Sequence, residues 1–309
     1  MNDRPLFLDC DTGIDDALAL AYLLNCDVSL AGISTVSGNT SAKQASINTL
    51  GLLSLAGRLN VPVAVGEHEP RDGTFGGGAP EVHGQNGVGD VRLPVDGTPR
   101  TETGVDLLLH LSHLHDGELD ILAIGPLTNI ARALDRDPTL PQRIGKLIIM
   151  GGAVWVPGNI TDHAEANIAN DAAAAAKVFA AGFHITLVPL DVTLQHIFTD
   201  DDAAVFEQSG HPLHVALATM LRRYIDFYES VDDVRAAPLH DPLAAAIAVD
   251  EVGITEARSV AIQVATEDSG ERGRTIAGEE RPGVQVVTGV SADASAIIRT
   301  RILATRNHL

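Results

Sequence analysis

Cysteine and lysine are both scarce in this chain of 309 residues. The two cysteines, Cys10 and Cys26, cannot build a disulfide framework, and no paired-cysteine zinc spacing is present. The three lysines, Lys43, Lys146 and Lys177, do not complete the glycine pattern of a phosphate-binding loop. These shortages predict a protein of a reducing compartment and argue against an ordinary nucleoside triphosphatase.

Long apolar runs and excess positive charge are also missing. No stretch reaches the roughly 18 apolar residues of a membrane helix, and the first residues lack the apolar region and cleavage site of a signal peptide. Lys and Arg number 21 against 41 Asp and Glu, a formal net charge of −20 that would repel phosphate backbones. We therefore expect a folded cytoplasmic protein with neither a nucleic-acid nor a membrane partner.

Short apolar runs alternate with helical patterns through the first two thirds of the chain. The predicted strands lie at residues 6–8, 28–36, 61–65, 119–124, 147–150 and 185–190. The predicted helices between them lie at residues 16–24, 42–56, 127–134 and 172–181. Strands this uniformly apolar are buried on both faces, which is typical of a parallel sheet covered by helices. The pattern predicts a single α/β domain over residues 1–309, with a mainly parallel, Rossmann-like central sheet.

The remaining third has a different pattern. Helices are predicted at residues 213–228 and 242–249, followed by a β-rich stretch near 258–289 and a last helix from Ala292, so we expect a helical addition in the C-terminal third. The longest irregular segment, residues 67–100, is rich in glycine. Long loops in compact domains are often functional. This loop is predicted to be a mobile active-site lid, with a plain surface loop as the alternative.

Four carboxylates cluster where the first strand ends and the first helix begins: Asp9, Asp11, Asp15 and Asp16. Asp15 or Asp16 alone would be explained by helix capping and the helix dipole. That explanation does not cover Asp9 and Asp11, whose charges would repel the others. A hard divalent cation accounts for the whole set, because Ca²⁺ takes 6–8 oxygen ligands in irregular geometry.

This spacing resembles the Asp-x-Asp-x-x-x-Asp-Asp fingerprint of the nucleoside hydrolases, the inosine-uridine preferring N-ribohydrolases. Further segments resemble the family's blocks in the family's order: residues 37–39, 82–84, 124–130, 150–152, 157–159, 164–167 and 239–242. The resemblance covers most of the chain. It implies a calcium-dependent enzyme of nucleoside salvage that hydrolyses ribonucleosides to free base and ribose, usually as a homotetramer or homodimer.

The resemblance also implies a role for individual residues. Ca²⁺ would be bound by three carboxylates and one main-chain carbonyl, those of Asp11, Asp16, Asp241 and Ile124. The ribose 2′ and 3′ hydroxyls would be bound by Asp15, Asn39 and Asn167, and the 5′ hydroxyl by Asn159 and Glu165. Asp9 would either contact the site directly or orient its neighbours.

N-glycosidic cleavage passes through a ribosyl cation and needs an activated water and help for the departing base. Asp11 is the predicted general base, and His240, next to Asp241, the predicted donor to the leaving base. His83 in the glycine-rich loop is a second candidate, and Tyr228 is expected near the base. The base preference stays open.

Two other functions are compatible with part of this pattern. A haloacid-dehalogenase-like phosphatase also begins with Asp-x-Asp after a strand, but Gly13 stands where that family has Thr or Val. A non-catalytic nucleoside-binding protein would have no need for the predicted general base, Asp11.

Overall fold

The computed structural model describes residues 4–280 and 283–305. The strands are β1 (Leu6–Cys10), β2 (Leu30–Thr35), β3 (Val63–Val65), β4 (Leu119–Ala123), β5 (Ile144–Met150), β6 (Ile185–Val188), β7 (Ile197–Phe198), β8 (Ala237–Pro238), β9 (Ile254–Val264), β10 (Thr275–Glu280) and β11 (Val284–Val290). The helices are α1 (Ile14–Leu23), α2 (Ala42–Leu55), α3 (Pro80–His83), α4 (Gly104–Leu114), α5 (Thr128–Arg136), α6 (Ala166–Asn170), α7 (Ala172–Ala180), α8 (Leu190–Thr193), α9 (Asp200–Gln208), α10 (Pro212–Asp232), α11 (His240–Ala248) and α12 (Ala294–Ile302).

Nine of these strands form one sheet in the order β10-β9-β11-β6-β5-β4-β1-β2-β3. All neighbours pair in parallel except β9, which is antiparallel to both β10 and β11. The segment 3-2-1-4-5-6 is the strand order of the Rossmann fold. The predicted α/β fold with a mainly parallel sheet is therefore confirmed.

Helices cover both faces of this sheet because its central strands are apolar on both sides. Leu6 and Leu8 of β1 pack into one hydrophobic core with α1, α10 and α11, whereas Phe7 packs into a second core with α4, α5 and α7. Every residue of β1 is buried. This arrangement leaves the strand ends as the places where polar side chains can meet.

The C-terminal third contains the three expected helices, α10, α11 and α12, and in addition α9. The β-rich stretch is not a separate layer, because β11 pairs in parallel with β6 and extends the central sheet. The antiparallel β9 and β10 then form its edge. This position agrees with the burial of β9, in which most residues are exposed or only partly buried. Within the described parts of the chain, no helix combines the length and apolarity needed to cross a membrane.

The glycine-rich segment 67–100 has little regular structure apart from the single turn of α3. Arg223 of α10 donates a hydrogen bond from Nη2 to the carbonyl of Pro80, over 2.9 Å. His83, at the end of α3, is buried against the start of α1. The loop is thus packed over the first strand end; its role as a mobile lid stays a prediction.

Candidate active site

A cavity of about 560 Å³ opens at the carboxyl ends of β1, β2, β4 and β5. Strand order reverses between β1 and β4, and open α/β sheets bind ligands at such a switch point. The cavity brings together ten of the residues predicted from the sequence: Asp15, Asn39, His83, Ile124, Asn159, Glu165, Asn167, Tyr228, His240 and Asp241. The other two, Asp11 and Asp16, are buried and hydrogen-bonded to Asn39 in its wall.

Asp11 follows β1 directly and is held by main-chain contacts. Its Oδ2 accepts a hydrogen bond from the amide of Asn39 over 2.6 Å. Its Oδ1 is buried with no hydrogen-bond partner among the described residues. Gly38 and Gly125 pack against the two oxygens so closely that a Cβ at Gly125 would lie 2.8 Å from Oδ1. The surrounding backbone therefore shapes a close-fitting holder for this one carboxylate.

Asp16 explains why α1 begins at Ile14, two residues earlier than predicted. Its carboxylate accepts hydrogen bonds from the amides of Gly13 (2.8 Å) and Asp11 (3.2 Å), which satisfies donors at the helix start. The side chain is thereby folded back toward the end of β1. Capping and site formation are performed by the same residue.

The tightest carboxylate group comprises Asp15, Asp16 and Asp241, which offer oxygens within 4.8 Å of one another. The carboxylate metal ligands predicted from the sequence are Asp11, Asp16 and Asp241. In the structure Asp11 lies beside this group, and Asp15, which is predicted to bind the ribose, belongs to it. Burial, followed by the charges of neighbouring carboxylates, raises the pKa of Asp16 to about 7 and that of Asp241 well above its usual range.

This cluster fits a divalent metal ion. Buried like charges are unfavourable without compensation, and carboxylate and carbonyl oxygens are the ligands of hard cations. Oδ1 of Asp15 and Oδ1 of Asp11 are both buried without a hydrogen-bond partner in the described part of the chain. Ile124 also lines the cavity, and its carbonyl accepts a hydrogen bond from Nδ2 of Asn167 over 3.1 Å, which leaves a second lone pair on the carbonyl oxygen.

The opposite wall is built around Glu165, which caps α6. Its two carboxylate oxygens accept hydrogen bonds from the amides of Gly152 (2.8 Å), Asn167 (2.8 Å) and Ile168 (3.1 Å). Asn159 is likewise held, since its Oδ1 accepts from the amide of Ala166 over 3.0 Å. Several polar groups thus converge on the cavity from a rigid main-chain frame.

Two buried histidines form the third wall. Nδ1 of His83 accepts a hydrogen bond from the amide of Ile14 over 3.1 Å. In His240, Nδ1 lies 2.8 Å from Oγ1 of Thr193 and Nε2 lies 2.9 Å from Oη of Tyr228. Burial lowers the pKa of both imidazoles, that of His240 to about 4. Burial therefore favours the neutral form of both rings.

Sequence reasoning missed two residues that contact the residues of this wall. Tyr224 lines the cavity, whereas Thr193 does not. Tyr224 donates a hydrogen bond from Oη to Oδ2 of Asp15 over 3.2 Å and packs edge-to-face on Tyr228 at 5.0 Å. Its signal was present, because Tyr224 lies one helical turn before Tyr228 on the same face of α10. Thr193 had no comparable signal, since α8 is a single turn remote in sequence from His240.

Asp9, which is predicted either to contact the site or to orient its neighbours, links β1 to β2 and to the first turn of α5. Its Oδ1 accepts hydrogen bonds from Oγ of Ser34 and from Nδ2 of Asn129, the latter over 2.7 Å. Asn129 in turn accepts from the amide of Glu67, the first residue of the glycine-rich segment. Burial raises the pKa of Asp9 to about 6. These contacts favour the orienting role.

Comparisons with known proteins agree with this geometry. The family model described as inosine-uridine preferring nucleoside hydrolase matches residues 6–296. Uridine nucleosidase 1 of Arabidopsis thaliana is 37% identical over 241 residues, which span 77% of this chain and 72% of that protein. The pyrimidine-specific ribonucleoside hydrolase RihA of an Enterobacter species is 34% identical over 243 residues, 77% of this chain and 76% of that protein.

Solved structures show the same relationship over nearly the full length. The purine-preferring ribonucleoside hydrolase from Gardnerella vaginalis superposes with a TM-score of 0.93 at 34% identity, covering 98% of this chain and 99% of that one. The plant nucleoside hydrolase PpNRh1 gives 0.92 at 30% identity, covering 97% and 99%. The resemblance seen in the sequence is confirmed: the chain belongs to the inosine-uridine preferring nucleoside hydrolase family and is an N-ribohydrolase.

Proposed function

We propose that the protein is a calcium-dependent hydrolase of ribonucleosides that releases free nucleobase and ribose in nucleoside salvage. The observation that carries this proposal is the buried group of Asp15, Asp16 and Asp241 beside the unpartnered Oδ1 of Asp11. A phosphatase of the haloacid-dehalogenase type would leave Asp241 and the two histidines of the cavity without a role. A mere binding protein would have no use for Asp11.

Ca²⁺ would be held by Asp11, Asp16, Asp241 and the carbonyl of Ile124. When bound, it would supply positive charge that makes neighbouring water more acidic. Oδ1 of Asp11 is our candidate for the acceptor of the water's proton, because it is buried and has no hydrogen-bond partner among the described residues. Asp15, which shares the carboxylate group, would bind a ribose hydroxyl at the edge of the same site.

The remaining polar residues suit the ribose. Asn39 and Asn167 would join Asp15 on the 2′ and 3′ hydroxyls, and Asn159 and Glu165 would bind the 5′ hydroxyl. This assignment is supported by their common position in the cavity wall, where hydroxyl groups find both donors and acceptors. The concentration of carboxylates also favours the positive charge that develops on the sugar as the bond breaks.

The leaving base would be assisted from the histidine wall. His240 and Tyr228 are hydrogen-bonded to each other and both line the cavity, so either can donate a hydrogen bond to the base. His83 lies in the same wall beside Tyr224, with ring centroids 5.6 Å apart. We assign His240 the main donor role and His83 a binding role connected with the glycine-rich segment.

We further propose that the enzyme acts in the cytoplasm as a homodimer or homotetramer, as the family resemblance implies. The names of its relatives point to different bases: uridine, pyrimidines and purines. We therefore propose a ribonucleoside substrate without restricting the base.

A panel of four nucleosides tests the proposal. Inosine, adenosine, uridine and cytidine are incubated with the protein, and free base and reducing sugar are quantified together, with p-nitrophenyl phosphate as a phosphatase substrate. We expect equimolar base and ribose from at least one nucleoside, abolition by Asp11→Asn, and normal rates in Asp27→Asn, which removes an exposed carboxylate. Phosphate release, or nucleoside binding without cleavage, would contradict it.

A further inference from the structure

The buried hydroxyl of Thr193 makes a contact that no step described above uses. Thr193 is fully buried at the end of α8, and its Oγ1 lies 2.8 Å from Nδ1 of His240. The other ring nitrogen of His240 faces Tyr228 at 2.9 Å. The imidazole is therefore held at both nitrogens, by one residue of the protein interior and one residue of the cavity wall.

The segments that carry Thr193 and His240 are fastened together next to this contact. Strand β7, which follows α8, pairs with β8, which precedes α11. The amide of Leu239 also donates a hydrogen bond to the carbonyl of His196 over 2.8 Å. These main-chain hydrogen bonds hold the segments that carry Thr193 and His240 beside each other.

The direction of the hydrogen bond follows from counting donors. Among the described residues, Nδ1 of His240 is the one hydrogen-bond partner of the Thr193 hydroxyl. A buried hydroxyl proton without an acceptor is unfavourable, so this proton points at Nδ1. A neutral imidazole carries one proton. Nδ1 is then the acceptor, and the proton of His240 is on Nε2, the nitrogen that lies against Oη of Tyr228, another residue of the cavity wall.

His83 provides an internal comparison. Its Nδ1 accepts from the main-chain amide of Ile14, which can act only as a donor, so its proton must also be on Nε2. The two histidines of the cavity wall therefore share one tautomer. The backbone amide of Ile14 imposes this tautomer on His83, whereas in His240 the tautomer depends on the side-chain hydroxyl of Thr193, which a substitution can remove.

We propose that Thr193 is a positioning residue that selects the Nε2-protonated tautomer of His240, so that the neutral imidazole keeps an N–H that donates a hydrogen bond to the leaving base. The proposal rests on the proposed function for its consequence in turnover, but the tautomer itself does not require turnover. Without the hydroxyl, the ring can adopt the other tautomer or rotate, and the fraction of molecules with a correctly placed donor falls. Ribose binding is left untouched, because Thr193 does not line the cavity.

The test combines ¹⁵N NMR with kinetics. In the wild-type protein, His240 and His83, assigned from His240→Gln and His83→Gln spectra, should both show the Nε2-protonated pattern. In Thr193→Val, which keeps the shape and removes the hydroxyl, only the His240 signals should shift toward the other tautomer. Thr193→Ser should restore them. Thr186→Val, the same substitution at a partly buried residue of β6, should change the signals of neither histidine.

The kinetic arm measures kcat for inosine and for p-nitrophenyl riboside, whose leaving group needs no proton. Thr193→Val should lower kcat for inosine about tenfold, the effect of one well-placed hydrogen bond, with little change in KM or in p-nitrophenyl riboside turnover. Thr193→Ser should recover most of the loss.

An Nδ1-protonated His240 in the wild type, unchanged His240 signals in Thr193→Val, or equal losses on both substrates would overturn the proposal. If the wild type releases no base from any nucleoside, the proposed function fails, and the NMR arm still decides the role of Thr193.

Discussion

Asp241→Asn should make the metal-free protein more stable and the calcium-loaded protein less stable than the wild type. Asp241 offers an oxygen within 4.8 Å of both Asp15 and Asp16. At that distance two unit charges repel by about 3 kcal/mol for an effective dielectric constant near 20. Proton uptake relieves part of this repulsion, because the pKa of Asp241 is raised by burial and by its neighbours. We therefore expect a gain between about 1 and 3 kcal/mol in the free energy of unfolding.

Calcium should reverse this order. A ligand that binds only the folded state stabilises it by about 2.7 kcal/mol at a concentration one hundred times its Kd. The wild type should gain this stability, whereas Asp241→Asn, which lacks one ligand charge, should gain much less. The assay is urea unfolding at pH 8 in chelator and in excess Ca²⁺, with Asp27→Asn as the matched surface control. A variant that is less stable in chelator, or that responds to Ca²⁺ like the wild type, would refute the reasoning.

Three further predictions concern the histidines and pH. His240→Ala should lower kcat for inosine by about 10²-fold, the usual contribution of a positioned acid, and spare p-nitrophenyl riboside; equal losses would mean that His240 orders Asp241 instead. His83→Ala should raise KM for nucleosides more than it lowers kcat, and steady-state kinetics showing the reverse would rule out a mainly binding role. Burial raises the pKa of Asp9 to about 6 and that of Asp16 to about 7. Protonation of these two carboxylates therefore stabilises the folded protein below pH 3.8, and this stabilisation is lost as pH rises through the raised pKa values. The chelated protein should therefore melt at a lower temperature at pH 8 than at pH 5, and the opposite order would count against buried, uncompensated carboxylates.

The local part of the site could be predicted from the sequence because it is encoded locally. Asp11 and Asp16 lie in one connection between a strand and a helix. Such a connection places its side chains at the carboxyl end of the strand, whatever the rest of the chain does. The parallel sheet was equally predictable, since apolar runs such as residues 147–150 have no polar face to expose.

The rest depends on contacts between distant segments. Asp241 could be assigned to the site only through family resemblance, because nothing in its local pattern shows that α11 begins beside β1. Thr193 meets His240 across 47 residues, through the pairing of two strands of only two residues each. The entry of β11 into the central sheet beside β6 was missed for the same reason: register across a sheet is set by packing and not by periodicity.

The most direct test of the central claim is reconstitution of activity by a stoichiometric metal ion. The protein is stripped with chelator, desalted, and titrated with Ca²⁺ while base release from its preferred nucleoside is followed. We predict that the stripped protein is inactive and that activity returns in proportion to added Ca²⁺ until one ion is bound per chain. Full activity in the stripped protein, or binding of Ca²⁺ without recovery of base release, would contradict the assignment of the buried carboxylates as the metal site of an N-ribohydrolase.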